Sequence, residues 1–69
     1  MTGPEVRALR ARLDLTQERA AEIIGVSRQG WQKWELEERE CVGAADRLLR
    51  VINIPGVRER LEEIADLGV

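Results

Sequence analysis

The chain has 69 residues, 43% of them apolar and 35% charged, with a net charge of −2, one cysteine and no histidine. A chain of this length holds one domain with a small core, and its balance of apolar and charged residues is that of a folded, water-soluble chain rather than a disordered one. It has no run of about eighteen apolar residues to span a membrane, no signal-peptide pattern, no second cysteine for a disulfide and no Cys/His set for zinc, so a cytoplasmic protein without metal or cofactor is expected.

Helix signals follow one another along the chain, and β-branched alternation is missing. Thr2, with Glu5 three residues later, has the form of a capping box. Val6, Leu9 and Leu13 then make a stripe at i, i+3, i+7 that predicts a first helix. Asp14 is its expected end, where a left-handed residue is comfortable. Thr16 is the next candidate N-cap. A second helix is predicted over 17–24, with Ala20, Ala21 and Ile24 facing inward and Gly25 as its stop. Val26 plugs the turn. Ser27 caps a third helix that runs from 28 to at least 36, and with no stop residue after Glu35 it is free to continue through Glu38. The short connection between helices two and three forces a steep crossing, as in a helix-turn-helix.

Residues 37–43 read as a loop. A fourth helix is expected over 44–52, burying Leu48, Leu49 and Ile52. A fifth is expected over about 55–67, with Pro55 in its first turn, Val57, Leu61 and Ile64 along one side and Gly68 as its stop. The expected fold class is therefore all-α: one compact five-helix domain over 1–69, with a helix-turn-helix at about 17–36.

Both of the chain's aromatic residues, Trp31 and Trp34, lie three apart on the third helix. That spacing predicts two core residues rather than base-stacking platforms, and it turns Arg28, Gln29, Gln32 and Lys33 outward. Arginine and glutamine can pair bidentately with guanine or adenine edges in the major groove, although an ordinary solvated helix face has the same composition. Gln17, at a helix start, can hold a phosphate together with free backbone N–H groups. Gly30 costs about 1 kcal/mol against alanine in a helix interior. It reads either as close approach of the backbone to DNA or to helix two, or as simple tolerance. Charge is unevenly spread: residues 1–34 are net positive, and residues 35–69 carry nine acidic against five basic side chains, which can steer one face toward phosphate.

The motifs "LTQ" at 15–17, "GVS" at 25–27 and "WE" at 34–35, within "VRALRARLDLTQERAAEIIGVSRQGWQKWELEERE", resemble the Xre/Cro-type, lambdoid-repressor-like helix-turn-helix family. The resemblance covers about residues 4 to 52. It implies a lambda-repressor-like fold, base contacts from Arg28, Gln29 and Lys33, with Gln32 beside them, and a phosphate contact from Gln17; Ser27 is a further phosphate candidate. It also implies an ion pair between Arg10 and Glu35 that braces helix one against helix three. Ala20 stands where the family usually has leucine, and Trp31 where it usually has isoleucine or valine. The pair reads as a volume swap that keeps core density.

After "WE" the family usually has glycine, basic residues and often proline, whereas this chain has Glu37, Glu38 and Glu40, which would repel phosphate beside the backbone. Arg39 is the cation of that stretch and a phosphate candidate. The fifth helix, through Val57, Leu61 and Ile64, reads either as core packing or as a homodimer contact for reading a palindrome.

The expected function is that of a sequence-specific, double-stranded-DNA-binding transcriptional regulator, a dimeric repressor of phage, prophage or antitoxin-like type. The alternative is a protein-interaction module that keeps the fold and engages a protein partner through its acidic face. Catalysis is not expected, because there is no nucleophile–base arrangement and no Gly-rich phosphate loop. Ser27 is explained as an N-cap, and Cys41 as a small, partly buried apolar residue.

Overall fold

Three short hydroxyl side chains set the starts of the first three helices. Thr2 Oγ1 accepts from the Glu5 amide at 3.2 Å while the Glu5 carboxylate accepts from the Thr2 amide at 2.9 Å. Thr16 Oγ1 accepts from the Arg19 amide at 3.1 Å, and Ser27 Oγ from the Gly30 amide at 2.9 Å. Each bond satisfies an N–H that the first helical turn leaves without a carbonyl, and losing such a cap costs about 1 kcal/mol. In this computed structural model, which describes residues 1–68, the caps open α1 (Gly3–Arg12), α2 (Gln17–Ile24) and α3 (Arg28–Glu35). With α4 (Gly43–Val51) and α5 (Val57–Asp66) they make an all-α, five-helix domain of helix-turn-helix type, without a strand among the described residues.

The ends of the first two helices follow the sequence. Asp14 takes φ +56°, and Gly25 takes φ +87° with its N–H on the Ala21 carbonyl at 2.8 Å. Two later boundaries differ. α3 stops at Glu35 instead of running to Leu36 or beyond: Leu36 is its C-cap, and Glu37 turns left-handed at φ +60°. A side chain rarely adopts that conformation unless surrounding contacts hold it, and no glycine or asparagine announces it. Pro55 lies outside α5, because Gly56 intervenes as N-cap at φ +94° with its N–H donating to the Glu59 carboxylate at 2.9 Å.

The core joins Val6 and Leu9 of α1, Ala20, Ala21 and Ile23 of α2, the two tryptophans, Cys41, and Leu49 and Ile52 at the end of α4. α2 packs against α3, α4 and α5, so its buried face is wide and includes Ile23. Ile24, expected inside, is half-buried at the margin. Leu48 is also half-buried rather than buried, as is Leu13. α4's main neighbour is α2, which covers only the narrow Leu49–Ile52 stripe. Cys41, expected to be partly covered, is 1% exposed, and burial raises its thiol pKa.

Polar contacts then dock α5. Arg19 makes a two-pronged pair with Asp66 at 2.9 and 3.2 Å. Arg58 donates to the Leu13 carbonyl at 3.0 Å and to Glu62 at 2.7 Å.

Candidate nucleic-acid interface

α3 is anchored by its indoles. Trp31 and Trp34 are 2% and 6% exposed, and their rings meet edge-to-face with centroids 5.6 Å apart. Such a pair adds about 0.5–1.5 kcal/mol beyond its buried area. With those rings inward, Arg28, Gln29, Gln32 and Lys33 are all exposed. None of the four side chains has a hydrogen-bond or ion-pair partner among the described residues. The outward set expected from the sequence is therefore brought together on one rigid helix and left free.

Behind this face lies one carboxylate that gathers three helices. Glu35, whose side chain is 1% exposed, accepts from Arg10 Nε at 2.6 Å and Nη2 at 3.2 Å. It also accepts from Gln17 Nε2 at 3.2 Å and from Trp31 Nε1 at 2.6 Å. Arg7 Nε stands 3.6 Å away. Burial by itself would raise the Glu35 pKa, but the bonds from Arg10, Trp31 and Gln17 outweigh it and hold the carboxyl at about 2. Arg10 also donates to the Leu15 carbonyl at 3.0 Å. The Arg10–Glu35 brace expected by resemblance is thus present, within a larger cluster. Its Trp31 member is visible in the sequence as an i, i+4 pair on a helix, whereas the Arg7 and Gln17 members required the helix arrangement.

The phosphate candidates fall in two places. Gln17 gives one amide N–H to Glu35 and lines a shallow cleft with Arg10, Thr16 and Arg28. Ser27 spends an oxygen lone pair on its cap, which leaves the hydroxyl hydrogen to donate outward. Arg39 is exposed, and its Nη1 lies 3.9 Å from the point a β-carbon on Gly30 would occupy. Gly30 itself is buried, and such a β-carbon would sit 3.1 Å from Ser27 Oγ. Its tight neighbour is therefore its own N-cap, not α2.

The acidic stretch after α3 is not uniform. Glu37, expected to repel phosphate, accepts from the Gly3 amide at 3.2 Å and so caps α1 instead. Glu38 and Glu40 are exposed. The proposed dimer residues do not form one free face either: Leu61 packs against the core, Val57 is half-buried, and Ile64 is 53% exposed. Leu67, which continues the same side of the fifth helix, and Ile54, which the sequence did not single out, are exposed apolar residues of the same region.

Among the described residues no group of His, Cys, Asp or Glu is arranged to hold a metal ion, and no helix is long and apolar enough to cross a membrane.

No family model matches the chain, and no solved structure matches it. A stretch of 38 residues, 54% of the chain, is 50% identical to the type II methyltransferase M.MspI of Moraxella sp. The match covers 9% of that protein's length.

Proposed function

We propose that the chain is a sequence-specific DNA-binding transcriptional regulator that works by occupying its operator. α3 enters the major groove. Arg28, Gln29, Gln32 and Lys33 contact base edges, and Gln17, Ser27 and Arg39 contact phosphates. The observation that carries this reading is the pairing of a doubly rooted helix with four exposed, partnerless side chains of base-reading type. A solvated helix face needs neither the buried indole pair nor the carboxylate cluster that fixes the helix against α1. Two copies on a palindrome would double the few base pairs that one module reads. On this reading the protein acts in the cytoplasm, as a repressor that blocks the site it occupies. The likeness to a methyltransferase spans too little of that protein to bring methyl transfer to this chain.

The test is selection from a pool of random duplexes by the purified protein, at two salt concentrations. The reading expects an enriched palindrome whose binding weakens by about 1–3 kcal/mol on Arg28→Ala. Arg39→Ala, at a phosphate contact, should change the salt slope more than the sequence preference. Absence of enrichment at low salt would overturn it and favour a protein-interaction module, for which the exposed Glu38 and Glu40 are the candidate contacts.

A further inference from the structure

Arg7 and Arg10 stand one turn apart on α1 and share the Glu35 carboxylate unequally. Arg10 is engaged at every nitrogen: Nε and Nη2 donate to Glu35, and Nη1 donates to the Leu15 carbonyl. Its side chain is 21% exposed. Arg7 Nε lies 3.6 Å from Glu35 Oε1, within ion-pair range but without a hydrogen bond among the described residues, and its side chain is 70% exposed. The hydrogen-bonded Arg10 already balances the single charge of Glu35. Arg7 is therefore the surplus cation of the cluster, and the N–H groups of its guanidinium are open to a further acceptor.

Its position ties this cation to the face that α3 presents. The oxygen that Arg7 approaches, Glu35 Oε1, is the one that accepts from Gln17 Nε2 at 3.2 Å. Arg7 and Gln17 are thus neighbours across one oxygen. Gln17 in turn borders Arg28 in the cleft at the start of α2. A line of donors runs from α1 through the first turn of α2 to the first turn of α3. Glu18, exposed on the rim of that cleft, is the opposing carboxylate, and it makes no ion pair with Arg7. Three guanidiniums, of Arg7, Arg10 and Arg28, face the carboxylates of Glu18 and Glu35, so the local balance is positive. Gln17 keeps a second amide N–H after its bond to Glu35.

We propose that Arg7 is a phosphate contact, which carries the DNA interface from α3 onto α1 and neutralises the strand whose phosphate Gln17 holds. This inference rests on the DNA-binding reading. Glu35 then has a second role besides bracing the helices: it keeps the Arg7 and Gln17 donors side by side, while Arg10, spent on Glu35 and Leu15, holds the carboxylate in place.

The experiment measures affinity of the full chain for its selected duplex over a series of salt concentrations. It compares the natural protein with Arg7→Gln, Arg7→Lys and Arg12→Gln. Arg12 is an exposed cation of the same helix that lines a different cleft, beside Leu49 and Arg50 of α4, so its loss changes net charge equally but away from the proposed contact. Arg7→Gln is expected to lower the slope of log affinity against log salt by about 0.9, the value of one phosphate contact, and to weaken binding about three- to tenfold at low salt without changing the preferred sequence. Arg7→Lys should keep most of the slope, because the charge rather than the fork carries it. Arg12→Gln should leave it nearly unmoved. A merely structural role for Arg7 would lower the melting temperature and leave the slope alone. An unmoved slope in Arg7→Gln, a change matched by Arg12→Gln, or an altered sequence preference overturns the proposal while the DNA-binding reading stands. Failure of the natural protein to select any duplex overturns both.

Discussion

Trp31 and Glu35 sit one turn apart on α3, with the indole Nε1–H donating to Glu35 Oε2 at 2.6 Å. The same oxygen accepts from Arg10 Nε at 2.6 Å. A core residue of the exposed-faced helix and a cation of α1 therefore converge on one carboxylate oxygen. Because Glu35 is nearly sealed from water and Arg10 is 21% exposed, the pair is costly to break from one side: removing the anion leaves a partly desolvated guanidinium without a counter-charge. Glu35→Gln is expected to cost about 2–3 kcal/mol and to lower the melting temperature by roughly 10–20 °C in a domain of this size. Thermal unfolding followed by circular dichroism reads the loss, and the Trp31 indole proton resonance should move with it. An unchanged melting temperature would show that the carboxylate cluster is incidental.

The same cluster predicts an acid sensitivity. Glu35 is held at about 2 in the folded protein against a reference value of 4.5. The stability this brings is fully present above pH 4.5 and is lost as pH falls toward 2, because in that window the unfolded chain binds a proton that the folded one does not. Its size is about 3 kcal/mol. Urea midpoints measured at stepped pH from 6 down to 3 should fall steeply below pH 4.5 in the natural protein and less steeply in the Glu35→Gln protein. Equal slopes in the two proteins would assign the acid response to other carboxylates.

Gly3 sets helix propensity against packing. In the first turn of α1, alanine would ordinarily be preferred to glycine by up to about 1 kcal/mol. A β-carbon at this position, however, would stand 2.6 Å from the Glu35 carbonyl oxygen, 2.9 Å from the Trp34 carbonyl oxygen and 2.6 Å from Glu37 Cγ. The Glu37 side chain can move, but the two backbone oxygens belong to α3 and cannot without shifting the helix. Gly3→Ala should therefore destabilise by about 1–3 kcal/mol. A higher melting temperature for this variant would mean that α1 and α3 separate at little cost.

Ala20 and Trp31 lie in the same buried cluster, each 2% exposed. If the small residue makes room for the large one, Ala20→Leu overfills the core and costs about 1–3 kcal/mol. Pairing it with Trp31→Ile should recover part of the loss, a coupling that a double-mutant cycle measures. Additive effects would show that the two side chains do not compete for the same volume.

What the sequence determined by itself was mostly local. Thr2, Thr16 and Ser27 were legible as caps because each bonds an amide three residues along, a relation that needs no other part of the chain. Gly25 and Asp14 were legible as stops for the same reason, and the spacing of Trp31 and Trp34 fixes which side chains of α3 turn outward. Tertiary structure decided everything that depends on where one helix lies against another. It buried Ile23 in preference to Ile24, because α2 has neighbours on several sides. It brought Arg7 and Gln17 to Glu35, turned Glu37 into a cap for α1, and docked α5 through Arg19 and Arg58. It also held Glu37 left-handed and ended α3 where no residue type marks a stop. Caps and periodicity depend on a few neighbouring backbone groups, whereas a buried carboxylate's partners and a helix's inner margin depend on the crossing of helices far apart in the chain, which no short stretch of sequence encodes.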